Sequence, residues 1–157
     1  MSSTLFENPR LLADVGGTYA RFTLEVGPGI FEHAASLRCA DFDDFQATVQ
    51  SYLSALPASA SMDRIKNAAV AIATPVSGDQ VRVTNYPWQF SIEQMRQRLH
   101  LDNLLMVNDF TALAMALPSL LPSQRRQVGA GAALPRSVIG LIGAGSGLGV
   151  SGLIPAN

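Results

Sequence analysis

A glycine pair set between two extended runs does most to limit what this chain can fold into. Arg10 to Val15 reads as a short strand that runs straight into Gly16-Gly17-Thr18. Tyr19 to Val26 then alternates, with Phe22 and Leu24 on one face and Arg21, Thr23 and Glu25 on the other, the period of a half-buried strand. The glycines therefore join strand to strand. The dinucleotide fingerprint and the phosphate loop of P-loop enzymes both need a helix after their glycines, and the spacing GxxxxGK(S/T) is absent. Gly27-Pro28-Gly29 is a turn signal, which predicts a third antiparallel strand over Ile30 to Leu37.

The period then changes. Phe42, Phe45, Val49, Tyr52, Leu53 and Leu56 fall at helical spacing, so the pattern predicts a helix over 41–56, closed by Pro57. Ala68 to Ala73 is nearly all apolar, as expected of a strand covered on both faces. Val81 to Thr84 is a short strand after the turn 74–79. Ser91-Ile92-Glu93-Gln94 has the spacing of a capping box before a helix that carries Ile92, Met95 and Leu99. Leu104 to Val107 predicts a buried strand, and Thr111 to Leu117 a helix stopped by Pro118. Residues 118–136 form a long connection, Ser137 to Ile142 is an apolar strand, and Val150 to Ile154 resumes as an extended run. Antiparallel strands followed by alternating helices and strands imply an α/β fold, a mixed β-sheet with helices on its faces. The last strand ends so close to the terminus that a longer protein is expected.

Composition excludes several classes. The 157 residues are 48% apolar and 15% charged, which is an ordered globular balance. A net charge of −1 with scattered charges gives no electrostatic footprint for nucleic acid. The single cysteine, Cys39, has no disulfide or zinc partner and reads as a small apolar filler. No apolar run approaches the ~20 residues needed to cross a bilayer, and the first ten residues hold Glu7 and no signal-peptide core. A soluble, cytoplasmic protein with no membrane partner is the plain expectation. His33 and His100 stand alone and read as surface or strand residues, and Trp88 beside Pro87 and Phe90 reads as packing.

Three motifs remain. In Asp14-Val15-Gly16-Gly17-Thr18 the backbone N–H groups can converge on an anion with the Thr18 hydroxyl as a further donor, although a hairpin turn using glycine for positive φ competes. A carboxylate at a phosphate turn is repulsive unless a divalent cation stands between them, which makes Asp14 a candidate for the metal. Gly143-Ala144-Gly145-Ser146-Gly147-Leu148-Gly149 places four glycines in seven residues after an apolar strand, a second loop suited to phosphate. Asn108-Asp109 comes directly after the 104–107 strand, at the end where open α/β sheets bind ligands. Taken alone the pair favours a helix cap. With a phosphate nearby, Asp109 could instead take the proton of a hydroxyl as phosphoryl transfer proceeds.

Leu12 to Arg21 resembles the first phosphate motif of bacterial ATP-dependent glucokinases, Val107 to Ala112 resembles their catalytic segment, and Ile142 to Gly149 resembles their second glycine motif. The resemblance runs from about residue 10 to residue 154, in matching order and spacing. It implies the actin-like, ribonuclease-H-like fold, with Mg²⁺ and ATP as cofactor and phosphoryl donor and glucose converted to glucose 6-phosphate at the entry to glycolysis. It further implies Asp109 as the base, Asn108 as a sugar ligand, and Thr74, Pro75, Thr84 and Asn85 along the sugar side of the cleft. Ala13, Asp14, Val15, Gly16, Gly17 and Thr18 would contact the ATP phosphates, with Asp14 near Mg²⁺, directly or through water, and Gly145 and Ser146 would add a second phosphate contact. Members of such families run to about twice this length in two domains, so residues 1–157 are expected to be the N-terminal small domain, inactive alone. The larger domain is also where related kinases often form homodimers. A non-catalytic sugar- or nucleotide-sensing module of a regulator is the rival reading, since fold does not imply function.

Overall fold

Three antiparallel strands open the chain: β1 (Arg10–Val15), β2 (Tyr19–Gly27) and β3 (Ile30–Arg38). The computed structural model describes residues 5–60, 62–84, 86–144 and 147–155. Beyond β3 come α1 (Phe45–Ser54), β4 (Asn67–Ile72), β5 (Gln80–Arg82), β6 (Gln89–Ser91), α2 (Ile92–Arg98) and β7 (Asn103–Asn108). The remaining elements are α3 (Asp109–Ala116), β8 (Ile139–Ala144) and β9 (Leu148–Leu153). The chain divides into two compact units, Met1–Asp109 and Phe110–Asn157.

In the first unit the main sheet has the order β3-β2-β1-β4-β7, with β1, β4 and β7 parallel. Alternation decides which residues form the core. Leu11, Ala13 and Val15 of β1, Ala20, Phe22 and Leu24 of β2, and Ala68, Val70 and Ile72 of β4 are all buried on one side. α1 covers that side with Phe45, Val49, Tyr52 and Leu53. Phe22 stacks on Tyr52 with centroids 4.9 Å apart, and Phe45 lies 6.2 Å from Trp88. Burying a side chain of this size is worth about 1.5–3 kcal/mol, and an aromatic pair adds about 0.5–1.5 kcal/mol. Trp88 is 1% exposed and its indole N–H donates to the Phe42 carbonyl at 3.3 Å, so it is packing, as its sequence context implies.

The other sheet face is less covered than expected. β4 alternates between buried and partly exposed positions, and Leu105 of β7 is 52% exposed. The apolar run of β4 predicts cover on both faces; its burial instead alternates, with Ala68, Val70 and Ile72 the buried positions. The first helix also starts later than the apolar spacing implies. Residues Cys39–Asp41 form a 3-10 turn, Phe42 is extended, and Asp44 caps α1 by accepting the Ala47 N–H at 2.7 Å.

α2 begins where the capping-box spacing places it, with Ser91 Oγ accepting the Gln94 N–H at 3.0 Å. Asp79 joins the cap from the preceding turn, its Oδ1 accepting the Glu93 N–H at 2.8 Å. At the far end His100 takes φ 53°, and the bonds His100 N–H to Gln97 and Leu101 N–H to Arg96 close a Schellman motif. His100 is thus a helix stop in a position that usually takes glycine. β6 has three residues, too short to show a period, and the sequence pattern does not predict it.

The second unit holds a β8–β9 antiparallel hairpin. The connection before it carries 3-10 turns at Leu117–Ser119 and Pro122–Gln124 and is otherwise irregular, in keeping with its prolines. Among the described residues no helix is long and apolar enough to cross a membrane.

Hydrogen bonds from the Ser91 side chain and then the Glu93 backbone hold the Asp79 carboxyl below its ordinary pKa. A depressed carboxyl stabilises the fold while ionised, so its contribution is complete above the ordinary value and is lost as pH falls through the folded one. Asp79→Asn is predicted to lower the unfolding free energy at pH 7, with the difference from wild type shrinking on acidification. Denaturant titrations across pH 2–7 would check it.

Candidate functional site

Parallel pairing sets the site. Val15, Ile72 and Asn108 are register partners across β1, β4 and β7, so the three strands end along one line. Each strand leads into one of the segments singled out in the sequence: β1 into Gly16-Gly17-Thr18, β4 into the turn from Ala73, and β7 into Asp109. The Ala73 N–H donates to the Val15 carbonyl at 2.9 Å and ties the second exit to the first.

Asn108 joins the second exit to the third. Its Nδ2 donates to the Thr74 carbonyl at 3.2 Å and to Asp109 Oδ1 at 2.9 Å. Thr74 is 3% exposed, and its hydroxyl donates to the Arg82 carbonyl at 2.8 Å and lies 3.0 Å from Thr84 Oγ1. Thr84 sits in a loop closed by the Val83 N–H on the Trp88 carbonyl at 3.0 Å. Thr74, Thr84, Asn108 and Asp109 therefore form one connected network. Pro75 is exposed at the start of the same turn, and Asn85 lies outside the described residues. The helix after β7 starts at Asp109, two residues before the predicted Thr111, which puts the carboxylate in its first turn.

The first glycine turn differs in detail from the expectation. Ala13 and Val15 point into the core, so only their backbone could meet a phosphate. The Gly16 N–H closes the turn on the Tyr19 carbonyl at 3.0 Å, leaving Gly17 and Thr18 as its exposed part. The hairpin explanation for glycine fails at position 16: φ is outside the left-handed region, and an added Cβ would meet nothing closer than Tyr19 O at 3.6 Å. Cys39, whose spacing gives no hint of this, supports the turn from inside. Its N–H donates to the Thr18 carbonyl at 2.9 Å and its thiol lies 3.9 Å from the Gly16 carbonyl. The thiol is 0% exposed and burial pushes its pKa up, which fits an inert filler.

Asp14 lies on the open sheet face and forms an ion pair with Arg21 at 3.0 Å, across the β1–β2 register. Among the described residues no group of three or more His, Cys, Asp or Glu could hold a metal. One carboxylate at a strand end still suits Mg²⁺, which keeps most of its waters and takes its other ligands from phosphates.

In the second unit, Gly145 and Ser146 lie outside the described residues. Two flanking glycines have a packing reason. A Cβ on Gly149 would fall 2.0 Å from the Phe110 ring, and one on Gly143 2.8 Å from it.

The family described as Glucokinase matches residues 11–157. The chain belongs to the glucokinase family. A relative named Bifunctional protein glk from Paraburkholderia xenovorans is 54% identical over 151 residues, covering 96% of this chain and 23% of that protein. A protein named Glucokinase from Chromobacterium violaceum is 48% identical, covering 94% of this chain and 41% of its own length. A crystal structure of glucokinase from an Antarctic psychrotroph superposes with a TM-score of 0.78 at 34% identity, over 95% of this chain and 47% of the other. A glucokinase from Balamuthia mandrillaris, solved with glucose, gives 0.62 at 18% identity, over 94% of this chain and 44% of the other, and shares the fold. The five-stranded mixed sheet of this glucokinase-family chain is the actin-like architecture. The chain spans less than half the length of these relatives.

Gly149→Ala is predicted to destabilise by about 1–3 kcal/mol, the usual range for overpacking. Gly147→Ala, where an added Cβ has nothing within 4 Å, is predicted to have a much smaller effect in the same denaturation experiment.

Proposed function

We propose that this chain is the N-terminal, base-carrying part of an enzyme that moves the γ-phosphoryl group of ATP to the 6-hydroxyl of glucose. The observation that carries the reading is Asp109 at the end of β7, bonded to Asn108, one strand-end away from Thr74 and two from the Gly16–Thr18 turn. Asp109 would accept the hydroxyl proton as the sugar oxygen forms its bond to phosphorus. The bond to the bridging oxygen breaks, releasing ADP and glucose 6-phosphate. A weak base suffices, because in a loose phosphoryl-transfer transition state there is little covalent work for the protein beyond positioning and charge stabilisation.

Asn108, Pro75, Thr84 and Asn85 would hold the sugar, with Thr74 supporting them. Gly17 and Thr18 would meet the ATP phosphates, helped by the backbone of Ala13 to Gly16 and by Gly145 and Ser146. Asp14 would hold Mg²⁺, directly or through water, and the ion when bound would neutralise phosphate charge. Because the relatives are more than twice as long, the transfer is ascribed to the complete protein. The buried, unpaired Cys39 fits a reducing, cytoplasmic setting.

Asp109→Ala in the complete protein is predicted to lower kcat by about 10²–10⁴-fold, the usual share of a general base, with glucose binding by calorimetry largely kept. Binding lost with turnover retained would make Asp109 structural; binding without turnover in the wild type would instead favour a sensing module.

A further inference from the structure

The hydroxyl groups of Thr74 and Thr84 carry a direction. Thr74 is 3% exposed, and its Oγ1 meets two oxygens, the Arg82 carbonyl at 2.8 Å and Thr84 Oγ1 at 3.0 Å. A threonine hydroxyl has one proton and two lone pairs, whereas a carbonyl oxygen can only accept. The Thr74 proton therefore goes to Arg82. The contact between the two hydroxyls must then be made by the Thr84 proton, with Thr74 Oγ1 accepting.

Thr84 is exposed, at the outer end of this chain of bonds. With its proton turned inward, its oxygen offers only lone pairs to anything outside. We infer that Thr74 and Thr84 form a one-way hydroxyl relay that fixes Thr84 as an acceptor, so that this edge of the site selects a ligand hydroxyl able to donate. Thr74 is a positioning residue here, acting through Thr84 and not touching the ligand. The backbone holds it in place: its N–H donates to Ile72 at 2.8 Å and its carbonyl accepts from Asn108 at 3.2 Å. The inference rests on the sugar-kinase reading and deepens it by naming the polarity of one sugar contact.

The test uses the complete protein and a series of glucoses in which one hydroxyl at a time, other than the reacting one, is replaced by fluorine. Fluorine cannot donate a hydrogen bond. In the wild type, one position of the series should raise KM by about tenfold, the effect of leaving one acceptor unpaired, with kcat changed far less. Thr84→Val, which removes the acceptor, should abolish discrimination at that position alone. Thr74→Val should bring it to within about threefold, since Thr84 can then turn its proton outward. Thr74→Ser keeps both hydroxyl bonds and should retain the discrimination, which keeps the test decisive if the valine variant does not fold. Discrimination unchanged in Thr84→Val or Thr74→Val, or lost in Thr74→Ser, would overturn the relay. A wild type that binds no hexose would overturn the sugar reading itself, a separate and recognisable outcome.

Discussion

The alignment of three parallel strand ends is the constraint on which the rest depends. β1, β4 and β7 pair residue for residue, so Val15, Ile72 and Asn108 lie in one row. The segments immediately after these residues are brought together without further design. Open α/β sheets bind ligands at such an edge because backbone groups there have left the ladder. The row is held by ordinary forces: Val15, Ile72 and Val70 are buried against the cluster of Phe22, Phe45, Tyr52 and Trp88. The position of Asp109 thus depends on aromatic packing on the inner face of the sheet.

Thr74 is where the packed core meets the proposed site. A buried polar side chain is tolerated only when its hydrogen bonds are made, and Thr74 makes them with two later residues of the chain. Its hydroxyl reaches Arg82 and Thr84, and its carbonyl receives the Asn108 amide. The turn 74–79 continues to Asp79, which caps α2. One segment therefore joins the loop that carries Thr84, the Asn108-Asp109 pair and a helix start. Asn and Asp side chains are short, and anchoring the amide from two sides limits how far the neighbouring carboxylate can swing.

How much of this is readable in the sequence varies by residue. The strands around Gly16-Gly17 are, because alternation and turn residues coincide there. Ser91 is identifiable as a cap because Ile92, Met95 and Leu99 come after it at helical spacing; Asp44 is obscured by Asp41 and Asp43 nearby and by Phe42, which suits the helical period while lying outside the helix. β6 gives no periodic signal in three residues. The Asn108-Asp109 pair is visible, but its neighbours are not: the partnership with Thr74 spans 34 residues and is set by sheet register, which local pattern does not encode. The glycines of the 143–149 loop suggest space for phosphate, whereas Gly143 and Gly149 make room for Phe110. The pairing of Asp14 with Arg21 likewise needs the β1–β2 register.

At the shared end of these strands, Asp109 is proposed to receive the proton of the sugar hydroxyl. A crystal structure of the complete protein with glucose and a non-hydrolysable ATP analogue tests it most directly. In that complex the 6-hydroxyl oxygen is expected within about 2.6–3.2 Å of an Asp109 carboxylate oxygen, the reach of a general base, with the phosphates against Gly17 and Thr18. A sugar bound with its 6-hydroxyl out of reach of Asp109 would contradict it.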